Sequence, residues 1–385
     1  MGGPVHLRDG IHPGSMAMTG NIRKKTQRTI GFITVILVLL GANAFALQEE
    51  KISTLSDYLY NKDLQKYKEI QAATNNQKKI DLATAFLKER PISRVLLYVA
   101  TEYMTAANKI AGNNPDRLIS MGETLWKLVP TDQKINAEAK DIPVGLDAFK
   151  KEQLQKTRIL ILEQIAGAYY KKQDYAKAAE YVERADAISP GVKSAQLLFD
   201  IYGKLGNEDK RISYGKKVLE RASMKNPEGY GMALQLADIY LKKQDANSVN
   251  AAIQLFTKVM DVYGNSVPPN VRESEWDKTR IFAYTLMAKD AYAKNNFATA
   301  EKLFQTVLSF DSRLDEPYYY LGMCKWKSKD QPAAIVYFAR CAVLNKDYAA
   351  QANEYLQKLY KATYPNDPEG LKDVIAKAKT ALGIS

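Results

Sequence analysis

At 385 residues, 46% of them hydrophobic and 25% charged, the chain is long enough for two compact domains or for one elongated stack. Its net charge is +12, but 41 of the 55 cations are lysines spread without a cluster. Dispersed lysine reads as solvated helix surface, and nucleic-acid binders gather their charge on one face, so no nucleic-acid partner is expected.

In chain order, Arg23, Lys24, Lys25 and Arg28 precede an apolar run over residues 30–40, and Ala44-Phe45-Ala46 places small residues where a signal peptidase reads. Residues 1–46 are therefore an N-terminal extension and export signal, cleaved after Ala46, which predicts a periplasmic protein. The alternative is an inner-membrane anchor over residues 30–47, which hold 18 mostly apolar residues, where a spanning helix needs about 20. Residues before Met16 exceed an ordinary signal's basic region, so Met16 or Met18 is a candidate start. From Leu47 on the net charge is +8. No histidine remains there, since His6 and His12 both precede it. The commonest general base and metal ligand is thereby removed, and no catalytic, metal or cofactor site is expected.

Residues 47–132 read as two helical pairs, 55–73 with 78–88 and 93–110 with 116–129, closed by Pro91 and Pro130. Residues 133–150, with Pro143 and Gly145, interrupt the pattern as a linker. Within 151–263, the stretch 159–192 carries Leu162, Ile165, Ala166, Tyr169, Ala178, Val182, Ala185 and Pro190 in helical register. A weaker unit over 194–222 keeps Leu198, Tyr202 and Val218 but has Arg211 and Gly215 where a small and an aromatic residue are expected. Another pairs Ala233, Leu236, Ala237 and Tyr240 with Ala252, Phe256 and Val259. A Pro-containing loop spans 264–272. In 273–348, Tyr284, Met287, Ala288, Ala300, Phe304 and Val307 recur 34 residues later as Tyr318, Leu321, Gly322, Ala334, Phe338 and Cys341. Residues 349–385 form a lysine-bearing terminal pair that suits the exposed end of a stack.

A 34-residue period with small residues at the helix crossing closely resembles the tetratricopeptide family. The resemblance implies an all-α, right-handed α-solenoid of antiparallel helical hairpins, and makes the two N-terminal pairs diverged members of the same array. It also implies that the inner wall is lined by positions 2, 5, 9, 12 and 13 of each first helix. Carried onto this chain, those positions include Tyr170 and Lys171, Lys289 and Tyr292, and Tyr319, Trp326 and Lys327, the expected partner-binding residues. Such a wall suits an extended acidic or aromatic-bearing peptide, rings giving area and ammonium groups steering. The alternative is that these rings are partly buried between neighbouring first helices. The subset of the family that clamps chaperone carboxyl termini is excluded by Glu163 and Gly167 at the clamp positions.

Cys324 and Cys341 fall on the two helices of one hairpin and are expected as small packing residues, a disulfide being the alternative in an oxidising compartment. The expected function is a non-catalytic protein–protein interaction scaffold of the cell envelope, binding an extended or helical segment of a protein partner. The alternatives are a module for glycan or anionic cell-wall polymer and a membrane-tethered scaffold that assembles with itself.

Overall fold

The computed structural model describes residues 55–138 and 146–384. The expected export signal and its cleavage site lie outside the described residues. The chain divides into two units, Met1–Lys62 and Asp63–Ser385, and the second carries the architecture below.

After α1 (Leu55–Ala72) come α2 (Asn76–Glu89), α3 (Leu96–Ala111) and α4 (Pro115–Leu128). The next segment holds the short α5 (Asp132–Glu138) and α6 (Leu146–Phe149), which continues through a π-helical turn at Lys150–Gln155 into α7 (Lys156–Lys171). Hairpins then follow one another: α7 with α8 (Tyr175–Ile188), α9 (Val192–Lys204) with α10 (Glu208–Arg221), α11 (Pro227–Lys243) with α12 (Ala246–Tyr263), α13 (Glu273–Ala293) with α14 (Phe297–Phe310), and α15 (Asp315–Lys327) with α16 (Gln331–Val343). Two helices, α17 (Ala349–Thr363) and α18 (Gly370–Ala381), pack against α16 and close the array. Each second helix packs mainly on its hairpin mate and on the first helix of the next hairpin, the pattern of an α-solenoid. Among the described residues there is no strand, and no helix is long and apolar enough to cross a membrane.

One local device makes all five hairpins. The first helix ends on a residue with left-handed backbone: Gln173, Gly206, Gln244, Asn295 and Lys329 have φ between 57° and 68°. An Asp or Asn follows, and its side-chain oxygen accepts the N–H three residues on: Asp174 from Lys177 at 3.0 Å, Asn207 from Lys210 at 3.1 Å, Asp245 from Ser248 at 2.9 Å, Asn296 from Thr299 at 3.3 Å and Asp330 from Ala333 at 3.2 Å. The left-handed residue reverses the chain and the carboxylate or amide satisfies an orphan donor of the next helix.

At the crossings, Ala178, Ala252, Ala300 and Ala334 are fully buried, and Phe304 and Phe338 fill the space one turn on. Gly322 lets Phe338 lie against the α15 backbone, because a Cβ there would come within 2.7 Å of Phe338 Cε1. The weak unit over 194–222 is packed by exchange of volume. The Arg211 guanidinium lies 4.6 Å from the centre of the Phe199 ring, and Leu236 from α11 occupies the space beside Gly215, where a Cβ would stand 2.8 Å from Leu236 Cδ2.

The described residues on either side of 139–145 pack against the array. Ile135, Phe149 and Leu154 are buried, Gln153 Oε1 accepts the Leu97 N–H at 3.1 Å, and Arg158 donates to the Pro130 carbonyl at 2.8 Å. Across that segment, α4 packs along α7, and Asn108 donates to Gln164 Oε1 at 2.9 Å. Cys324 and Cys341 are buried free thiols, and desolvation pushes both up to about 12.

Candidate functional site

The face that α7, α9, α11, α13 and α15 share is built from positions where the helices leave space or carry half-buried rings. On α7, Gly167 is exposed and a Cβ there would meet nothing within 4 Å. One turn earlier, Glu163 is exposed in area yet densely surrounded. Desolvation outweighs the nearby Lys193 ammonium and raises its carboxyl above the usual range, as in a recess. Tyr170 is half-buried, and burial together with the Asp200 charge raises its phenol. Its ring packs edge-on against Tyr175 at 5.3 Å. Lys171 is exposed beside it.

The α13 positions behave differently. Tyr292 is 8% exposed, and its ring is enclosed by Phe297 at 5.6 Å and Tyr320 at 5.3 Å. Burial pushes its phenol up to about 12. It packs the hairpin core and exposes little surface, as the alternative of rings buried between neighbouring helices has it. Lys289 is also committed: its ammonium bonds Glu316 Oε1 at 2.7 Å with both side chains largely covered, and it lies 5.6 Å from the Tyr320 ring centre. Tyr348 donates to the same Glu316 oxygen at 3.0 Å. A partner would therefore meet a neutralised Lys289, so the acidic-peptide preference loses one of its cations. The ion pair spans 27 residues, a separation at which sequence shows no partner.

On α15 the expected residues come together. Tyr319 is half-buried among Phe338, Tyr348 and Tyr355, and desolvation raises its phenol strongly. Trp326, also half-buried, rests on Tyr355 at 5.2 Å, and the exposed Lys327 ammonium sits 5.3 Å from the indole centre. Tyr355, supplied by α17, was not expected at the site. Its position in the terminal pair lies outside the repeat register that selected the others.

Nothing among the described residues forms a group of three His, Cys, Asp or Glu that could hold a metal ion. One shallow recess lies on α18 beside Lys377 and Thr380, and another between Asp132, Lys150, Arg158 and Ile188. Neither aligns a nucleophile with a base.

An array of antiparallel hairpins, two of whose repeats measure 33 and 34 residues from cap to cap, Asp174 to Asn207 and Asn296 to Asp330, with fully buried alanines at four crossings, is an α-solenoid that resembles the tetratricopeptide type. No family model matches the chain, and no curated protein matches it. Among solved structures it is similar to a tetratricopeptide repeat protein from Parabacteroides merdae, at 13% identity over 78% of this chain and 98% of that one, with a TM-score of 0.30. It is likewise similar to the C-terminal part of a TPR repeat-containing protein from Cytophaga hutchinsonii (14% identity, 72% and 93% covered, TM-score 0.31) and to yeast Tom70 (15%, 87% and 69%, 0.31). Superpositions at this level carry no functional argument, and the fold assignment rests on the period, the crossings and the helix pairing.

Proposed function

We propose that the protein is a non-catalytic interaction scaffold of the cell envelope that holds an extended or helical segment of another protein along its first-helix wall. The observation that carries this reading is the shelf formed by Tyr319, Trp326 and Tyr355, half-exposed rings already ordered by mutual packing, with the Lys327 ammonium beside them. Ordered rings give contact area at low entropic cost, and Trp is enriched among residues that dominate interface energy. Tyr170 and Lys171 extend the contact at the other end of the wall; Tyr292 supports it from inside, and Lys289 acts through Glu316. The envelope setting rests on the export signal, and N-terminal sequencing of the mature chain tests it: a start at Leu47 is expected, and an intact residue 30–47 segment in the membrane fraction overturns cleavage.

Cross-linking in intact cells followed by comparison of Trp326→Ala and Lys327→Glu with the parent tests the wall itself. Loss of a full interface Trp costs about 2 kcal/mol or more of binding, so the captured complex should fall sharply in Trp326→Ala with the fold intact by circular dichroism. Capture unchanged by both substitutions overturns the reading. The Trp326–Tyr355 shelf also favours a second reading, a sugar ring stacked on the indole; release of the captured species by soluble cell-wall glycan, with no protein cross-linked, would select it.

A further inference from the structure

A glycine inside a helix costs stability, and it is kept where the backbone or a close neighbour requires it. Gly322 and Gly215 are required, since a Cβ at the first would stand 2.7 Å from Phe338 and at the second 2.8 Å from Leu236. Gly167 is not. It lies within α7, its backbone is not left-handed, and a Cβ there would meet nothing within 4 Å. What this glycine preserves is open space on the first-helix wall. Glu163 stands one turn before it and Tyr170 one turn after, at the spacing of four and three that puts all three on one face of α7.

The carboxylates of the wall differ in how they are satisfied. Counted back from the caps, Gly167, Asp200, Asp238 and Lys289 hold matching places, each seven residues before Asp174, Asn207, Asp245 and Asn296 respectively. Asp238 is paired with Lys242 at 2.7 Å, and Glu316 with Lys289 at 2.7 Å and with the Tyr348 hydroxyl at 3.0 Å. Glu163, by contrast, accepts no hydrogen bond and closes no ion pair among the described residues. Lys193 of α9 stands near enough to favour its charge but not near enough to pair with it. Crowding has taken hydration from an accessible carboxylate and supplied no donor in exchange, so an incoming cation restores what was lost.

We propose that Glu163, Gly167 and Tyr170 form a subsite for a cationic side chain of the bound segment, an arginine by preference. The guanidinium lies over Gly167, its forked N–H groups on the Glu163 carboxylate and its flat face toward the Tyr170 ring. A lysine ammonium, more strongly hydrated and without the fork, fits less well. The subsite rests on the scaffold reading of the wall and adds the partner's chemistry at the α7 end, where the residue pattern alone points to an acidic peptide.

Titration of the isotope-labelled full chain with N-acetylarginine amide, read at the Gly167 and Tyr170 backbone amides, tests the subsite directly. The arginine probe should bind about tenfold or more tightly than N-acetylcitrulline amide, which keeps the shape and lacks the charge. The difference should vanish in Glu163→Gln, a substitution at an exposed position of near-identical shape. Equal affinity for the two probes, or an arginine preference that survives Glu163→Gln, overturns the subsite. Cross-linked capture in intact cells separates its failure from that of the scaffold. A complex lost in Trp326→Ala and weakened in Glu163→Arg supports both. One lost in Trp326→Ala and unchanged in Glu163→Arg overturns the subsite and leaves the scaffold standing. One unchanged by Trp326→Ala, Lys327→Glu and Glu163→Arg overturns the scaffold, and the partner's cation with it.

Discussion

Tyr214 on α10 donates its hydroxyl to Glu183 on α8 at 2.9 Å, joining the second helix of one hairpin to the second helix of the one before. The same bond recurs one repeat earlier, where Tyr181 on α8 donates to Glu123 on α4 at 3.3 Å. Glu183 also accepts from Tyr202 at 2.6 Å. A tyrosine at the seventh residue of one second helix thus reaches a glutamate at the ninth of its predecessor, a staple between successive second helices. Deleting one such hydroxyl in Tyr214→Phe is expected to cost about 1 kcal/mol, read as a lower urea midpoint with unchanged slope. A midpoint equal to the parent's would show the staple to be idle.

The same carboxylates set an acid response. Burial alone would raise Glu183, but the Tyr202 and Tyr214 hydroxyls and the Lys210 ammonium outweigh it and hold the group below its ordinary range. Asp186 is likewise held down, its desolvation overcome by Arg221, Ser194 and the Gly191 N–H. A carboxyl whose folded value is depressed contributes stability that is complete above its unfolded value and is lost as pH falls through the folded one. Urea stability should therefore fall on acidification below about pH 4, and Glu183→Gln should flatten part of that fall. An acid limb of the same slope in Glu183→Gln would remove Glu183 from the account.

Two glycines with opposite surroundings give a contrast in one hairpin family. Gly322→Val forces a branched side chain into Phe338, whose ring already stands where a Cβ would go; overpacking of this kind costs about 1–3 kcal/mol. Gly167→Ala adds its methyl to open space in the middle of α7 and should stabilise by about 0.5–1 kcal/mol through helix propensity. Thermal melts of both variants decide the matter. A Gly322→Val protein as stable as its parent would mean that Phe338 can leave the crossing at no cost.

Much of this was legible in the sequence because repetition averages out local noise. Ala300 and Ala334, Phe304 and Phe338 announce the crossing at one offset, and the structure buries all four. The unit over 194–222 was harder, since Arg211 and Gly215 break the pattern singly and make sense only together with Phe199 and Leu236, one of them on another hairpin. Residues 146–155 carry helix without a 3.6-residue stripe because a π-helical turn shifts the face that Phe149 and Leu154 bury. At the wall, position alone could not separate Tyr292 from Tyr319, since burial is decided by what the neighbouring helix sends across, Tyr320 in one case and Tyr355 in the other.

The caps offer a sharper test of the hairpin device. Asp330 follows Lys329, which holds φ of 65° without being glycine, so the turn depends on the cap to offset that backbone cost. Asp330→Ala should lose about 1 kcal/mol, and Lys329→Gly in the same background should recover part of it. If the second change further destabilises the first, the left-handed turn is not the element under strain.

The thiols provide the last prediction, and one that reports on the C-terminal block alone. Cys324 and Cys341 sit in the core that α13 to α18 share, with no exposed surface and with thiols pushed to about 12 by desolvation. The thiolate is the reacting form, so at neutral pH both groups are chemically silent as well as covered. A disulfide reagent added to the folded chain should find no reactive thiol, and both should appear together as urea opens that block. Because the core that holds both thiols begins at Ala288, separate from the one that ends at Ala283, their appearance should not coincide with the loss of total helix signal. Two thiols titrating at once in native buffer would contradict the burial, and coincident curves would make the array a single cooperative unit.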